Sequence, residues 1–180
     1  AVQDPVDWIV GGAGTLGVVV EAELSLVRKP EREIGLAVPF ASERESLEFV
    51  VAAREASDSA APVRAQCLEY FDGAALGIAR GHIGAPRWMD GAASIVYLEQ
   101  EMDGEGVDAD RVLDAWLALA ESHGATSADI DVYDDAAALR DARRFRHAVP
   151  AFMNERGSAR RQYGGRKVPP DWAVPYHRLP

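Results

Sequence analysis

Apolar positions along this chain switch repeatedly between two spacings. Residues 18–26 open with three valines and continue as a period-2 alternation, with Val20, Ala22, Leu24 and Leu26 on one face, which predicts a strand. Residues 6–10, with Trp8 and Ile9, predict a shorter strand before it, and residues 34–40 another after it, bounded by Pro30 and Pro39. Ser42 and Glu45 then form the S-x-x-E capping pattern that opens a helix through Leu47, Val50, Val51 and Arg54. Polar and small residues at 57–62 end it. Residues 64–71 predict a strand, and Asp72 caps a short helix through Leu76 and Ile78 that stops before Gly81. The run 82–91 predicts a loop, with Trp88 and Met89 tucked against the core. In the strand predicted at 93–99, Ile95, Tyr97 and Glu99 face away from Val96 and Leu98. Asp108 caps an amphipathic helix whose apolar stripe is Val112, Leu113, Trp116, Leu119 and Ala120, closed by Gly124. Residues 127–133 complete the strands. Asp134 starts a long helix that carries Arg140 to Arg146 and has Pro150 in or near a kinked end.

Between the first two predicted strands lies Gly12-Ala13-Gly14-Thr15-Leu16-Gly17, which spells the G-x-G-x-x-G dinucleotide fingerprint. That fingerprint requires a helix immediately after the glycines, so that a pyrophosphate can sit on the helix N-terminus. Val18, Val19 and Val20 predict a strand there instead, which argues against a Rossmann turn. What such glycines still offer is bare backbone that a ligand or another segment can approach closely.

The stretch from Trp8 to Leu26, with Gly14-Thr15-Leu16-Gly17, Glu21-Ala22 and Leu24, resembles the segment that closes the FAD-binding domain in the vanillyl-alcohol-oxidase-like flavoproteins. The resemblance is to the D-lactate dehydrogenase and glycolate oxidase subunit branch. Gly12 and Ala13 stand where that family has Ser and Glu, and Val20 where it has Thr. Further along, Arg146-His147-Ala148-Val149-Pro150, then Arg166-Lys167-Val168, then Asp171-Trp172-Ala173-Val174-Pro175 resemble the family's cap-domain run in order and spacing. Cys67-Leu68-Glu69-Tyr70-Phe71-Asp72 resembles its E-x-x-D element, and Tyr97-Leu98-Glu99 its next strand.

The resemblance implies an α+β fold: a ferredoxin-like antiparallel sheet with helices packed on one face, preceded by terminal strands of the FAD-binding domain. Strand-helix alternation alone is also compatible with a parallel doubly wound sheet. The implied division is residues 1–30 for the flavin-domain strands and 31–180 for a substrate-binding cap, both parts of a longer protein. The implied cofactor is FAD, held by Gly12, Gly14, Thr15, Gly17 and Val19, and expected to bind this chain weakly or not at all. The implied reaction is oxidation of a small D-2-hydroxy acid by hydride transfer to flavin. Arg146 and Lys167 would contact the substrate carboxylate, a role that suits a bidentate guanidinium and a point-charge ammonium. The implied partners are the acid, the rest of the flavoprotein and an electron-acceptor subunit. A non-catalytic flavoprotein-like subunit and a stand-alone ferredoxin-like domain that binds a small acid remain as alternatives.

Composition narrows this picture only slightly. A formal net charge of −10 over 180 residues disfavours nucleic acid as a partner. Arg140, Arg143, Arg144, Arg146, Arg156, Arg160, Arg161, Arg166 and Lys167 crowd one segment, which predicts an anionic partner, a charge-matched internal surface or a solvated face. Cys67 is the single cysteine and no long apolar run or signal peptide is visible, so the expected location is cytoplasmic, with peripheral membrane association left open. His82, His123, His147 and His177 lack metal-site spacing, and no nucleophile elbow occurs.

Overall fold

The computed structural model describes residues 4–12, 14–59, 62–83, 90–103 and 107–165. The readings made for Ala13, Trp88, Met89, Lys167, His177 and the 171–175 motif lie outside the described residues.

The sheet consists of β1 (Glu33–Phe40), β2 (Cys67–Phe71), β3 (Ser94–Glu101) and β4 (Asp131–Tyr133), in the order β2-β3-β1-β4. Every neighbouring pair is antiparallel. With the helices α2 (Glu43–Ser57) and α4 (Ala109–Glu121) as crossovers, this is the ferredoxin-like arrangement, an α+β fold. α2 and α4 pack on one face, where Ile34, Leu36, Val38 and Phe40 of β1 and Val96 and Leu98 of β3 meet Phe49, Val112 and Trp116. Trp116 is fully buried, and its Nε1 donates to Gln100 Oε1 at 2.7 Å, so its polar edge is satisfied within the apolar layer.

The expectation that helices cover one face requires a correction. α3 (Gly73–Ile83) and α5 (Ala136–Ala159) cover the opposite face, where Ala37, Phe71, Ile95 and Tyr97 meet Leu76, Ala79, Ala142, Phe145 and Ala148. β1 and β3 are therefore buried along almost their whole length. The second alternating residue set of β1 and β3 is mixed: Ala37, Pro39, Ile95 and Tyr97 need an apolar cover, while Glu33 and Glu99 meet Arg143 of α5.

Local chemistry sets the helix ends. Ser42 Oγ accepts from the Glu45 amide at 3.3 Å, and Glu45 Oε2 accepts from the Ser42 hydroxyl at 2.8 Å. Asp108 caps α4 by accepting from the amides of Asp110 and Arg111. α5 is capped by Asp135, one residue beyond the expected Asp134, through bonds to the amides of Ala137 and Ala138. α5 continues through Pro150 to Ala159, α3 continues past Gly81 to Ile83, and the predicted 127–133 strand keeps only Asp131–Tyr133 after a 3₁₀ turn at Ser127–Asp129.

The N-terminal segment departs most from expectation. Residues 6–10 are not a strand: α1 (Pro5–Ile9) is a short helix with Asp4 as N-cap, accepting from the Val6 amide at 2.9 Å, and Pro5 at its start. Asp followed by Pro suits the cap and first position of a helix, and an apolar run this short carries no period strong enough to oppose it. Residues 18–27 form no helix or strand and pair with no strand among the described residues, and Val20 is 93% exposed. Alternation predicts a strand only where a sheet edge receives it. The glycine loop thus joins a helix to a segment without regular secondary structure rather than two strands, and no helix begins directly after Gly17.

Gly35 lies under Leu139 of α5. A Cβ there would lie 2.8 Å from Leu139 Cδ2 and 3.3 Å from Tyr97 Oη. Because Leu139 is itself buried, Gly35→Ala is expected to lower folding stability by about 1–2 kcal/mol through overpacking. A reduced urea midpoint at unchanged slope would register it, and an unchanged midpoint would show that α5 yields freely.

Candidate functional site on the α5 face of the sheet

Antiparallel register sets Cys67 opposite Glu99 and Glu69 opposite Tyr97 across β2 and β3, and Gly35 opposite Glu99 across β1 and β3. The pleat sends this set to the face that α5 covers. α5 lays Leu139, Ala142, Phe145 and Ala148 on the sheet, a stripe at three-residue spacing. Arg143 and Arg146 flank that stripe one turn apart, close enough for their guanidinium groups to reach the strand carboxylates.

Arg143 grips Glu99 with two parallel bonds, Nε to Oε1 and Nη2 to Oε2, both 2.8 Å, and its Nη2 also reaches Glu33 Oε2 at 3.2 Å. The Tyr97 hydroxyl donates to Glu99 Oε1 at 2.6 Å. Arg146 Nε donates to Glu69 Oε1 at 2.6 Å. The hydrogen bond from Arg143 holds the Glu99 carboxyl below its ordinary range, against burial, which acts the other way. Burial and the bond it donates to Glu99 push the Tyr97 hydroxyl up. Burial opposes the Arg146 cation, yet the Glu69 bond and the surrounding negative charge outweigh it and raise its pKa. Cys67 beside them is pushed up by burial and by Glu69, so its thiol stays protonated and is a poor nucleophile.

Glu33, Glu69 and Glu99 thus face Arg143 and Arg146 in a network that is internally compensated, with acid in slight excess. For these two arginines the basic segment is a charge-matched internal surface. Arg140, Arg156, Arg160 and Arg161 are exposed instead. Among the described residues Arg146 engages only Nε, its side chain is 36% exposed, and no described residue occupies its Nη1/Nη2 edge. A cleft of about 390 Å³ opens beside the network, between residues 29–33 and α5, lined by Lys29, Arg32, Glu33, Arg140 and Arg143 among others.

The glycine segment stands apart from this network. Thr15 closes a turn, its amide donating to Gly12 O at 2.9 Å and its hydroxyl to the same oxygen at 2.6 Å. Gly12 is half-buried, and Gly14, Thr15, Gly17 and Val19 are exposed. Gly14 has φ 73°, and nothing among the described residues lies within 4 Å of where its Cβ would be. No hydrogen bond or ion pair among the described residues links Gly12, Gly14, Thr15, Gly17 or Val19 to Arg146.

Two of the described histidines make local contacts. His123 Nδ1 lies 2.9 Å from Leu119 O, and His82 stacks edge-on to Phe152 with Nε2 3.7 Å from Glu155. No described helix is long and apolar enough to cross a membrane. Sequence reasoning passed over Arg143, Glu33 and the Tyr97–Glu99 pair as site residues. The signal was available: Tyr97 and Glu99 occupy one face of a strand, and Arg143 precedes Arg146 by one helical turn. Compared with known proteins, the chain matches no protein-family model, and no curated protein matches it.

Proposed function

We propose that this chain is the substrate-cap portion, with an adjoining flavin-domain segment, of an FAD-dependent oxidoreductase that acts on a small D-2-hydroxy acid. The observation that carries the reading is Arg146, a partly exposed guanidinium anchored by one nitrogen over the sheet, its terminal edge engaged by no other described residue. A planar fork held in this way suits a carboxylate better than a mobile surface cation does, because less conformational freedom is lost on binding. Lys167 would add a second positive charge for the substrate carboxylate. Fixing the carboxylate orients the substrate Cα–H for transfer and restricts it to one approach.

Gly12, Gly14, Thr15, Gly17 and Val19 would lie against the cofactor through bare backbone, a role compatible with the open surface at Gly14. FAD, when bound, supplies the hydride acceptor. These residues offer few donors by themselves, so the 180-residue chain alone is expected to purify with little flavin absorbance. Near-stoichiometric flavin would contradict that expectation. The deciding experiment mixes the flavoprotein containing these residues anaerobically with D-lactate or glycolate. Bleaching of the flavin band is expected, and no bleaching by any small 2-hydroxy acid would overturn the reading.

A further inference from the structure

The contact between Glu69 and Arg146 carries one step more. We propose that Glu69 is a positioning residue, which holds the Arg146 guanidinium at Nε so that its Nη1/Nη2 edge is presented to the ligand carboxylate. This rests on the carboxylate-binding reading above.

A guanidinium offers a carboxylate two bidentate edges, the side edge through Nε and the terminal edge through Nη1 and Nη2. Glu69 Oε1 occupies the side edge at 2.6 Å. A ligand carboxylate therefore docks end-on, and Glu69 stays in place as it does so. Glu69 is suited to the task because it sits within β2, paired to β3 through its register with Tyr97, rather than on a loop. Its side chain is 31% exposed, enough to belong to a site and too little to swing freely. Without this grip Arg146 would have to freeze several rotatable bonds on binding, a cost that appears directly as lost affinity.

Glu69 also brings a negative charge that repels an incoming carboxylate. The nearby charges on the other elements are Glu33, Glu99 and Arg143, already tied to one another. Grip and repulsion act in opposite directions, and two substitutions separate them. Glu69→Gln keeps an oxygen that accepts from the Arg146 Nε–H and removes the charge. Glu69→Ala removes both.

The test titrates sodium D-lactate into the 180-residue chain, with neutral lactamide as control. Affinity is read by calorimetry, and the Arg146 Nε–H signal by nuclear magnetic resonance. Glu69→Gln is expected to bind D-lactate within about threefold of the unsubstituted chain, or more tightly, and to keep a slowly exchanging Nε–H. Glu69→Ala is expected to bind about tenfold or more weakly and to lose that signal, with lactamide unaffected throughout. If Glu69→Ala binds D-lactate as well as or better than the unsubstituted chain while Arg146→Ala loses binding, the positioning role is wrong and the carboxylate site stands. If the unsubstituted chain does not bind D-lactate, or Arg146→Ala binds it equally well, the carboxylate site itself fails, and the positioning role with it. A Glu69→Ala chain that does not fold leaves Glu69→Gln to decide. Loss of D-lactate affinity in that variant, with the Nε–H signal retained, overturns the proposal.

Discussion

Replacing Arg143 by Met is expected to cost about 2–3 kcal/mol of folding stability near neutral pH, because it leaves the Glu99 carboxylate under α5 without its cation. Glu99 has only 10% of its side chain exposed and meets Arg143 in a two-bond fork, whereas Arg143 is 35% exposed, which lowers the expected loss below that of a fully buried pair. The remaining bond from Tyr97 cannot compensate a charge. The pH dependence follows from the depressed Glu99 pKa. In the unsubstituted chain this group contributes stability above the unfolded carboxyl value of about 4.3, and the contribution is lost as pH falls through the lower folded value. In Arg143→Met the bonds that lower the Glu99 pKa most are gone while burial still raises it, so the folded pKa moves up and protonation at low pH relieves part of the penalty. The stability gap between the two proteins should therefore shrink in acid. Urea unfolding at pH 7 and pH 4 measures it. A gap under about 1 kcal/mol at pH 7 would mean that Glu99 finds water or another partner once Arg143 is gone.

The sheet and its crossovers were legible because their signals are local and mutually consistent. Ser42 with Glu45, Asp108 and Asp72 each announced a helix start through their own cap chemistry, and the period-2 runs at β1 and β3 carried their faces with them. The second helical layer was less legible. Ala37, Ile95 and Tyr97 read as the back of a one-sided sheet until α3 and α5 were placed over them. The N-terminal segment misled for a different reason. Its alternation is real, but strand pairing belongs to the edge that receives it rather than to the segment, and the segment pairs with neither edge strand, β2 or β4. At the site, Arg146 stood out by its sequence context. Its anchor Glu69 is 77 residues away and Glu99 is 44 residues from Arg143, separations that only the sheet register resolves.

In the flavoprotein that contains this chain, Arg146→Ala is expected to lower kcat/KM for a D-2-hydroxy acid by roughly 30- to 900-fold, equivalent to about 2–4 kcal/mol of transition-state stabilisation. Flavin content should not change, because no described contact links Arg146 to Gly12, Gly14, Thr15, Gly17 or Val19. The size of the effect follows from the type of contact. A bidentate, charge-assisted pair is lost from a partly desolvated position, and water replaces it poorly. Arg146→Lys should recover only part of the loss, since an ammonium cannot donate to Glu69 and fork a ligand carboxylate in one plane. A matched uncharged alcohol should react equally slowly with both proteins, which isolates the carboxylate contact from general damage to the site. Stability should fall much less than in Arg143→Met, because the Glu69 side chain left behind is 31% exposed and can be hydrated. An unchanged kcat/KM for the acid would identify Arg146 as a cross-strand tie between α5 and β2 and nothing more.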